Sequence, residues 1–198
     1  MNITDDEKKN WFAEVLNKFI PDDIDIKNKT PEQIIKEYSK KAASVGFVAA
    51  LPTGFLGWAT ILPEIALTTK IQINMIYSLA KYFNKNVQVN STFIAMIFAE
   101  ALGIDIIKTL VTRSGGKIVV SNLIKNGLKT LLEKISMNIT KKIATRLPSR
   151  WVPFILAPVY SAFAYSSTKL IGKYAMIYLT KEIVYELPEK SDDTLNNV

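Results

Sequence analysis

Two long uncharged stretches, both interrupted by proline, place the strongest constraint on how this chain can fold. Residues 42–63 and 151–168 contain no charged side chain. Pro52, Gly54 and Gly57 interrupt the first stretch, and Pro153 and Pro158 interrupt the second. Apolar segments of this length have to be buried in a protein core or in a membrane, and proline breaks the interior of a helix. We therefore predict two broken hydrophobic hairpins, the first of which contains Phe47, Phe55 and Trp58.

The rest of the chain has the apolar spacing of helices. No segment alternates apolar and polar residues over the length of a strand, and the only pair of adjacent glycines follows Ser114, so we expect no hairpin or sheet. The prediction is an all-α single domain of about six helices over residues 1–188, followed by a polar tail at 189–198. Residues 51–77 and 147–178, which include most of the two uncharged stretches, share the order Leu-Pro-Thr/Ser, Pro, Thr-Lys and Met-Ile-Tyr, which indicates either an internal pseudo-repeat or a coincidence.

Start signals define several of the predicted helices. Thr4 and Glu7 have the spacing of a capping box, Thr30 stands before a proline at a first helical position, and Asn90 is one of three candidate N-caps. A further helix is expected to begin at Pro63. The predicted helices cover about residues 4–20, 30–51, 63–83, 91–113, 117–146 and 169–185.

The positive charge is concentrated in one block. The chain has a net charge of +7, and residues 101–150 hold ten basic and two acidic side chains. Between Val120 and Ile143, apolar residues recur every three or four positions, which predicts a basic amphipathic helix. Lysines beside aromatic residues favour an anionic membrane lipid as the partner. The candidate membrane-binding residues are Lys125, Lys129, Lys134, Lys141, Lys142, Arg146, Arg150, Trp151 and Phe154.

Two other interpretations of the basic block stay open. It fits the solvated outer face of an ordinary core helix, and it fits a surface that binds one protein partner, as in an immunity or adaptor protein. Nucleic acid is not expected, because the block lacks interleaved aromatic residues for base stacking and has few arginines for phosphate.

The absence of cysteine and histidine narrows the chemistry. It excludes a cysteine nucleophile, a Ser-His-Asp triad and the usual zinc and haem ligands. The run from Ser114 to Lys117 is no phosphate-binding loop, because Val111 and Ile118 stand where that motif needs glycine and Ser/Thr, so we interpret it as a helix-ending turn. Glu64, Glu100 and Asp105 lack the spacing of an acid/base pair. We expect no catalytic, metal or cofactor site, and a lipid-active enzyme is the third alternative.

Residues 51–83 carry a family resemblance. A Gly/Pro-containing apolar segment leads to a proline and then to a helix in which Gln72, Met75 and Tyr82 occupy motif positions. This run resembles the EcsC family and a related helical domain attached to some bacterial GTPase-like proteins. The resemblance implies a helical, membrane-associated bacterial protein, and it transfers no catalytic residue.

The expected location follows from the ends and the uncharged stretches. The acidic start lacks the basic and apolar regions of a signal peptide, which predicts a cytoplasmic protein. A helix over residues 42–63 would rise about 33 Å, enough for a hydrocarbon core of about 30 Å, but its proline and glycines make it a poor span. We expect a non-enzymatic protein peripheral to the inner membrane, with integral insertion as the alternative.

Overall fold

The computed structural model describes residues 4–22, 26–49, 58–85, 89–105, 111–114, 116–120, 123–144 and 153–186. These residues are mostly helical, which confirms the predicted fold class. Within these ranges the helices are α1 (Asp5–Asn17), α2 (Pro31–Ala49), α3 (Trp58–Tyr82), α4 (Ser91–Leu102), α5 (Leu123–Ala144) and α6 (Pro153–Leu179). Three short strands, β1 (Val111–Ser114), β2 (Lys117–Val120) and β3 (Glu182–Tyr185), form one small sheet. The predicted polar tail lies outside the described residues.

Local capping starts the helices where the sequence predicts. In α1 the Thr4 hydroxyl accepts from the Glu7 amide, and the Glu7 carboxylate accepts from the Thr4 amide at 2.7 Å. Thr30 and Gln33 make the same reciprocal pair before α2. The Asn90 side chain accepts from the third residue of α4. Each bond satisfies an amide that has no partner within its helix, so these starts are set by residues close in sequence.

The expectation that the chain has no hairpin or sheet was wrong. Strands β1 and β2 are antiparallel, with Ser114 opposite Lys117, so the segment interpreted as the end of a helix lies between two paired strands. Gly116 has φ of +81°, a conformation that glycine adopts without steric cost. Strand β3 then pairs parallel to β2, where Ile118 and Val120 are buried. The alternation in β2 is four residues long, too short to be distinguished from one helical turn.

Three helix boundaries in the second half of the chain were also wrong. The predicted fourth helix runs to residue 113, but α4 ends at Leu102 because Gly103 takes the left-handed conformation, with φ of +70°. The Gly103 and Ile104 amides donate to the carbonyls of Glu100 and Ala99, which closes the helix end. The basic helix was predicted from Lys117, but its first four residues form β2, so α5 begins at Leu123. The last helix ends at Leu179, and residues 182–185 form β3.

Proline interrupts neither α3 nor α6. Pro63 and Pro158 each occupy the sixth position of their helix, and both are exposed. A proline there removes one amide bond near the helix start, which the remaining turns tolerate. The predicted start at Pro63 was therefore five residues late. Residues 153–168 of the second uncharged stretch are part of one continuous helix and form no broken hairpin. The first stretch ends α2 and begins α3, with residues 50–57 outside the described part of the chain.

The helices share one hydrophobic core centred on α4. Every residue from Phe93 to Ala99 is buried, so α4 is covered on all sides. Helices α5 and α6 both pack against α4, α1 packs on α5, and α2 lies along α6. The two long helices of the second half of the chain therefore meet over a common buried helix, and the candidate site lies where they meet.

Candidate functional site

Helix α5 has a buried side and a cationic side, as its sequence predicts. Leu131 and Ile135 are fully buried against the core. Lys129, Lys134 and Lys141 are exposed. Among the described residues, none of the ion pairs includes any of these three lysines. Their charge is therefore not neutralised by an acidic side chain of the described part of the fold.

Several lysines elsewhere on the surface differ in this respect. Lys29 and Lys41 contact the Glu37 carboxylate at 2.7 and 3.1 Å. Hydrogen bonds from Lys29 and then Lys41 lower the pKa of Glu37 below its usual value, because both favour the charged carboxylate. Lys117 of β2 is likewise paired with Glu182 of β3 at 3.1 Å. The basic side of α5 is thus distinct from the parts of the surface where positive and negative charges alternate.

Lys142 has a different environment from the other lysines of α5. Its side chain is half-buried, and its Nζ donates to the main-chain carbonyl of Leu102 at 3.1 Å. That carbonyl belongs to the last turn of α4, where the helix dipole favours a cation. Lys142 therefore stabilises a helix end and also brings a positive charge to the junction of α4, α5 and α6.

The side chains of the other five predicted membrane-binding residues, and of the three predicted hairpin residues, lie outside the described part of the structure. Lys125 and Phe154 lie in the first turns of α5 and α6, and Phe47 and Trp58 lie in α2 and α3. Arg146, Arg150, Trp151 and Phe55 lie outside the described residues. The roles assigned to all eight stay predictions.

An apolar groove of about 630 Å³ opens at the junction of α4, α5 and α6. Its only charged lining residue among those described is Lys142, and Ser166 and Ser167 are its other polar side chains. Sequence reasoning missed this groove, because α6 is apolar on nearly all sides and its hydrophobic pattern does not separate a buried from an exposed face. The apolar lining consists of Ala101, Leu102, Pro158, Val159, Ala162, Phe163, Leu170 and Ile171.

An exposed aliphatic stripe extends the groove along α6. Val159, Leu170 and Ile177 are 45%, 41% and 41% exposed. Their spacings of eleven and seven residues correspond to about three and two helical turns, so they lie on one side of α6. Lys169 and Lys173 are exposed on the same helix. This combination of aliphatic and cationic side chains is typical of a surface that meets an apolar or amphiphilic partner.

The residues of the family-like motif do not form part of this site. Gln72 is buried and donates from Nε2 to Thr168 Oγ1 at 3.1 Å and to Ser167 Oγ at 3.4 Å, which joins α3 to α6. Met75 is fully buried in the core. Tyr82 is 43% exposed, and its ring makes an edge contact with Phe83. Gln72 and Met75 therefore have packing roles in this structure.

The three acidic residues considered for catalysis lie in separate contexts. Glu100, near the end of α4, accepts a hydrogen bond from the Tyr178 hydroxyl at 3.1 Å. Asp105 is exposed beyond the end of α4. Glu64 lies in the second turn of α3, and its side chain is outside the described part of the structure. None of the three lines the groove that the described residues form.

In the described parts of the chain, no helix combines the length and apolar character that a membrane crossing needs. No protein-family model, curated protein or solved structure matches the sequence. The EcsC-like resemblance of residues 51–83 therefore stays a prediction, and the function has to be argued from the site itself.

Proposed function

We propose that this protein associates with the anionic surface of a membrane, on its cytoplasmic face and without catalysis. The observation that carries the proposal is the set of Lys129, Lys134 and Lys141, which are exposed around the outer surface of α5 and take part in none of the ion pairs among the described residues. Near an anionic membrane each such lysine contributes about 1 kcal/mol of attraction. Three of them therefore favour binding by about 3 kcal/mol, enough for a peripheral, salt-sensitive association.

An apolar contribution from α6 supports the same proposal. Stable attachment to a membrane generally combines charge attraction with inserted apolar groups. The exposed Val159, Leu170 and Ile177 supply such groups, and Lys169 and Lys173 on the same helix add positive charge. The resemblance of residues 51–83 to the EcsC family also points to membrane association.

Sedimentation with lipid vesicles tests the proposal. Neutral vesicles of phosphatidylcholine are compared with vesicles that also contain phosphatidylglycerol, at low and high salt. The variant Lys129→Gln/Lys134→Gln/Lys141→Gln should bind the anionic vesicles on the order of a hundredfold more weakly than the unchanged protein. Binding should also fall with salt, because the Debye length shrinks from about 10 Å at 0.1 M to about 3 Å at 1 M.

A control variant that loses the same charge elsewhere shows whether binding depends on the lysines of α5 or only on the net charge of the protein. Lys9, Lys36 and Lys40 are exposed on α1 and α2. The variant Lys9→Gln/Lys36→Gln/Lys40→Gln should keep most of the binding. An equal loss of vesicle binding in the two variants would contradict the proposal. So would binding that depends neither on lipid charge nor on salt.

A second candidate function is a module that binds one protein partner, and the aliphatic stripe on α6 favours it. Exposed apolar residues at helical spacing are a common docking surface for a partner helix. Capture of one stoichiometric partner from lipid-free extract, abolished by Leu170→Asp/Ile177→Asp and unaffected by the α5 triple variant, would support this function. Vesicle binding by the purified protein alone would favour the membrane proposal.

A further inference from the structure

We propose that the groove between α4, α5 and α6 binds one free long-chain fatty acid, with its carboxylate at Lys142 and its chain along α6. None of Lys129, Lys134 and Lys141 lines the groove, although its Val159 and Leu170 are also part of the proposed apolar contact with the membrane. Binding of a soluble ligand without vesicles is therefore a property beyond that function, and it can fail separately from it. Its volume of about 630 Å³ is in the usual range for sites that enclose a small molecule.

The shape of the groove suits an extended chain. Its lining residues on α6 run from Pro158 to Ile171, which corresponds to about 20 Å along the helix axis. Val159, Phe163 and Leu170 supply aliphatic and aromatic surface along this length. An acyl chain buries one methylene after another against such a lining, and each contributes about 0.8 kcal/mol. A compact polar metabolite would leave most of this surface unused.

The charge of the groove selects the head group. Among the described lining residues, Lys142 is the single charged side chain, and no acidic side chain lines the groove. The Lys142 ammonium is held in place by its bond to the Leu102 carbonyl at 3.1 Å. A positioned cation in an otherwise apolar groove attracts a carboxylate and repels an ammonium head group. Ser166, which is exposed beside the chain path, supplies a hydroxyl donor.

Ser167 contributes less to the head-group site, because its hydroxyl is already engaged. It donates to the Ala164 carbonyl at 3.2 Å and accepts from Gln72 at 3.4 Å. These bonds, together with the packing of Ile171 in the core, attach the wall of the groove to its neighbours. The groove is therefore supported by α3 and α4, and a ligand would not have to create it.

Titration calorimetry with the full-length protein and no vesicles tests the proposal. The probes are palmitate, octanoate and hexadecyltrimethylammonium, all below their micelle-forming concentrations. Palmitate should bind with one-to-one stoichiometry, octanoate more weakly because it buries fewer methylenes, and the cationic amphiphile at least about tenfold more weakly than palmitate. Equal binding of the two head groups, or no binding of palmitate, would overturn the proposal.

Two sets of variants test whether the ligand binds in the groove and whether its carboxylate lies at Lys142. Ala162 lines the groove and is exposed, so Ala162→Trp should fill the groove without disturbing the core and weaken palmitate binding at least about tenfold. Ser44→Trp, on the exposed side of α2, is the matched control and should bind as the unchanged protein does. Lys142→Met should remove the preference for the carboxylate and Lys142→Arg should restore it, with circular dichroism showing that both are folded.

The same variants keep the two proposals distinguishable. Loss of vesicle binding in the α5 triple variant with palmitate binding retained would leave the groove proposal intact. Palmitate binding that survives Ala162→Trp, or a ligand that enters only from vesicles as a phospholipid chain, would overturn it while the membrane proposal stands.

Discussion

Gly172 lets α2 and α6 approach more closely than any other residue would allow. A Cβ atom at this position would lie 2.7 Å from Cγ1 and 3.0 Å from Cγ2 of Ile35, and both atoms belong to a stiff β-branched side chain. We expect Gly172→Ala to lower the free energy of unfolding by about 1–3 kcal/mol, because the two helices have to move apart. Urea unfolding followed by circular dichroism measures the change.

Gly127 on α5 provides the matched control for this substitution. A Cβ atom there would meet nothing within 4 Å, and its backbone is helical. Gly127→Ala should therefore raise the free energy of unfolding by up to about 1 kcal/mol, because alanine favours helix. Similar effects of the two substitutions, in either direction, would show that the contact with Ile35 does not limit the approach of α2 and α6.

Gln72 illustrates how a residue singled out by a motif can be explained by packing. Its amide donates to the hydroxyl of Thr168, and both residues are buried. Gln72→Met should cost about 1–3 kcal/mol, because it leaves the Thr168 hydroxyl without this bond. The double variant Gln72→Met/Thr168→Val should cost less than the sum of the two single variants, with a coupling of about 0.5–3 kcal/mol measured by urea unfolding. Strict additivity would mean that the bond contributes nothing to stability.

At the scale of the elements, the small sheet depends on one glycine. Gly116 has φ of +81°, and a Cβ atom at this position would meet nothing within 4 Å. Gly116→Ala should therefore destabilise the hairpin of β1 and β2 by about 1–2 kcal/mol through backbone conformation alone. Gly116→Asn should cost less, because asparagine tolerates the left-handed region.

Hydrogen exchange of the β2 amides measures this effect where it occurs. Faster exchange in β2 for Gly116→Ala than for Gly116→Asn, with α2 and α6 unchanged, is the expected result. Equal exchange rates in the two variants would indicate that the turn does not need a positive φ for the sheet to form.

Helices α3 and α6 show that proline position matters more than proline content. In both, proline stands at the sixth residue and is exposed. The lost amide bond then falls near the helix start, and the helix continues for nineteen residues after Pro63 and twenty-one after Pro158. In a sequence, a proline within an apolar run predicts a break in the helix. In the folded protein, the tertiary contacts of the later turns stabilise the complete helix.

At the scale of the whole molecule, the first helix is tied to the second half of the chain. Trp11 Nε1 donates to Thr140 Oγ1 at 3.3 Å, and the Phe12 amide donates to Ser136 Oγ at 3.3 Å. Phe12 also packs on Phe98 of the central helix, with ring centroids 4.9 Å apart. We expect α1 to unfold together with the core in one cooperative transition, because its removal would expose the buried surface of α4 and α5.

Residue-resolved NMR during urea unfolding checks this expectation. Amide signals from α1 and from α6 should disappear with the same midpoint. A lower midpoint for α1 would contradict it and would indicate that the N-terminal helix forms a separate, weaker unit.

The sequence by itself determined the features that depend on neighbouring residues. Thr4, Thr30 and Asn90 mark helix starts because their side chains bond amides within three residues. The helical class and the exposed Lys129, Lys134 and Lys141 of α5 follow from an apolar spacing of three and four residues. For these features the interacting residues are only a few positions apart in the sequence, so the sequence pattern contains the interaction itself.

Only the tertiary structure decided the features that join distant parts of the chain. Strand β2 pairs with β3 across more than sixty residues, and the groove assembles side chains from α4, α5 and α6. The second role of Lys142, at the end of α4, likewise depends on a carbonyl forty residues away. The reason is physical: sequence spacing records which face a residue occupies within its own element, whereas a sheet partner or a groove depends on which elements pack together.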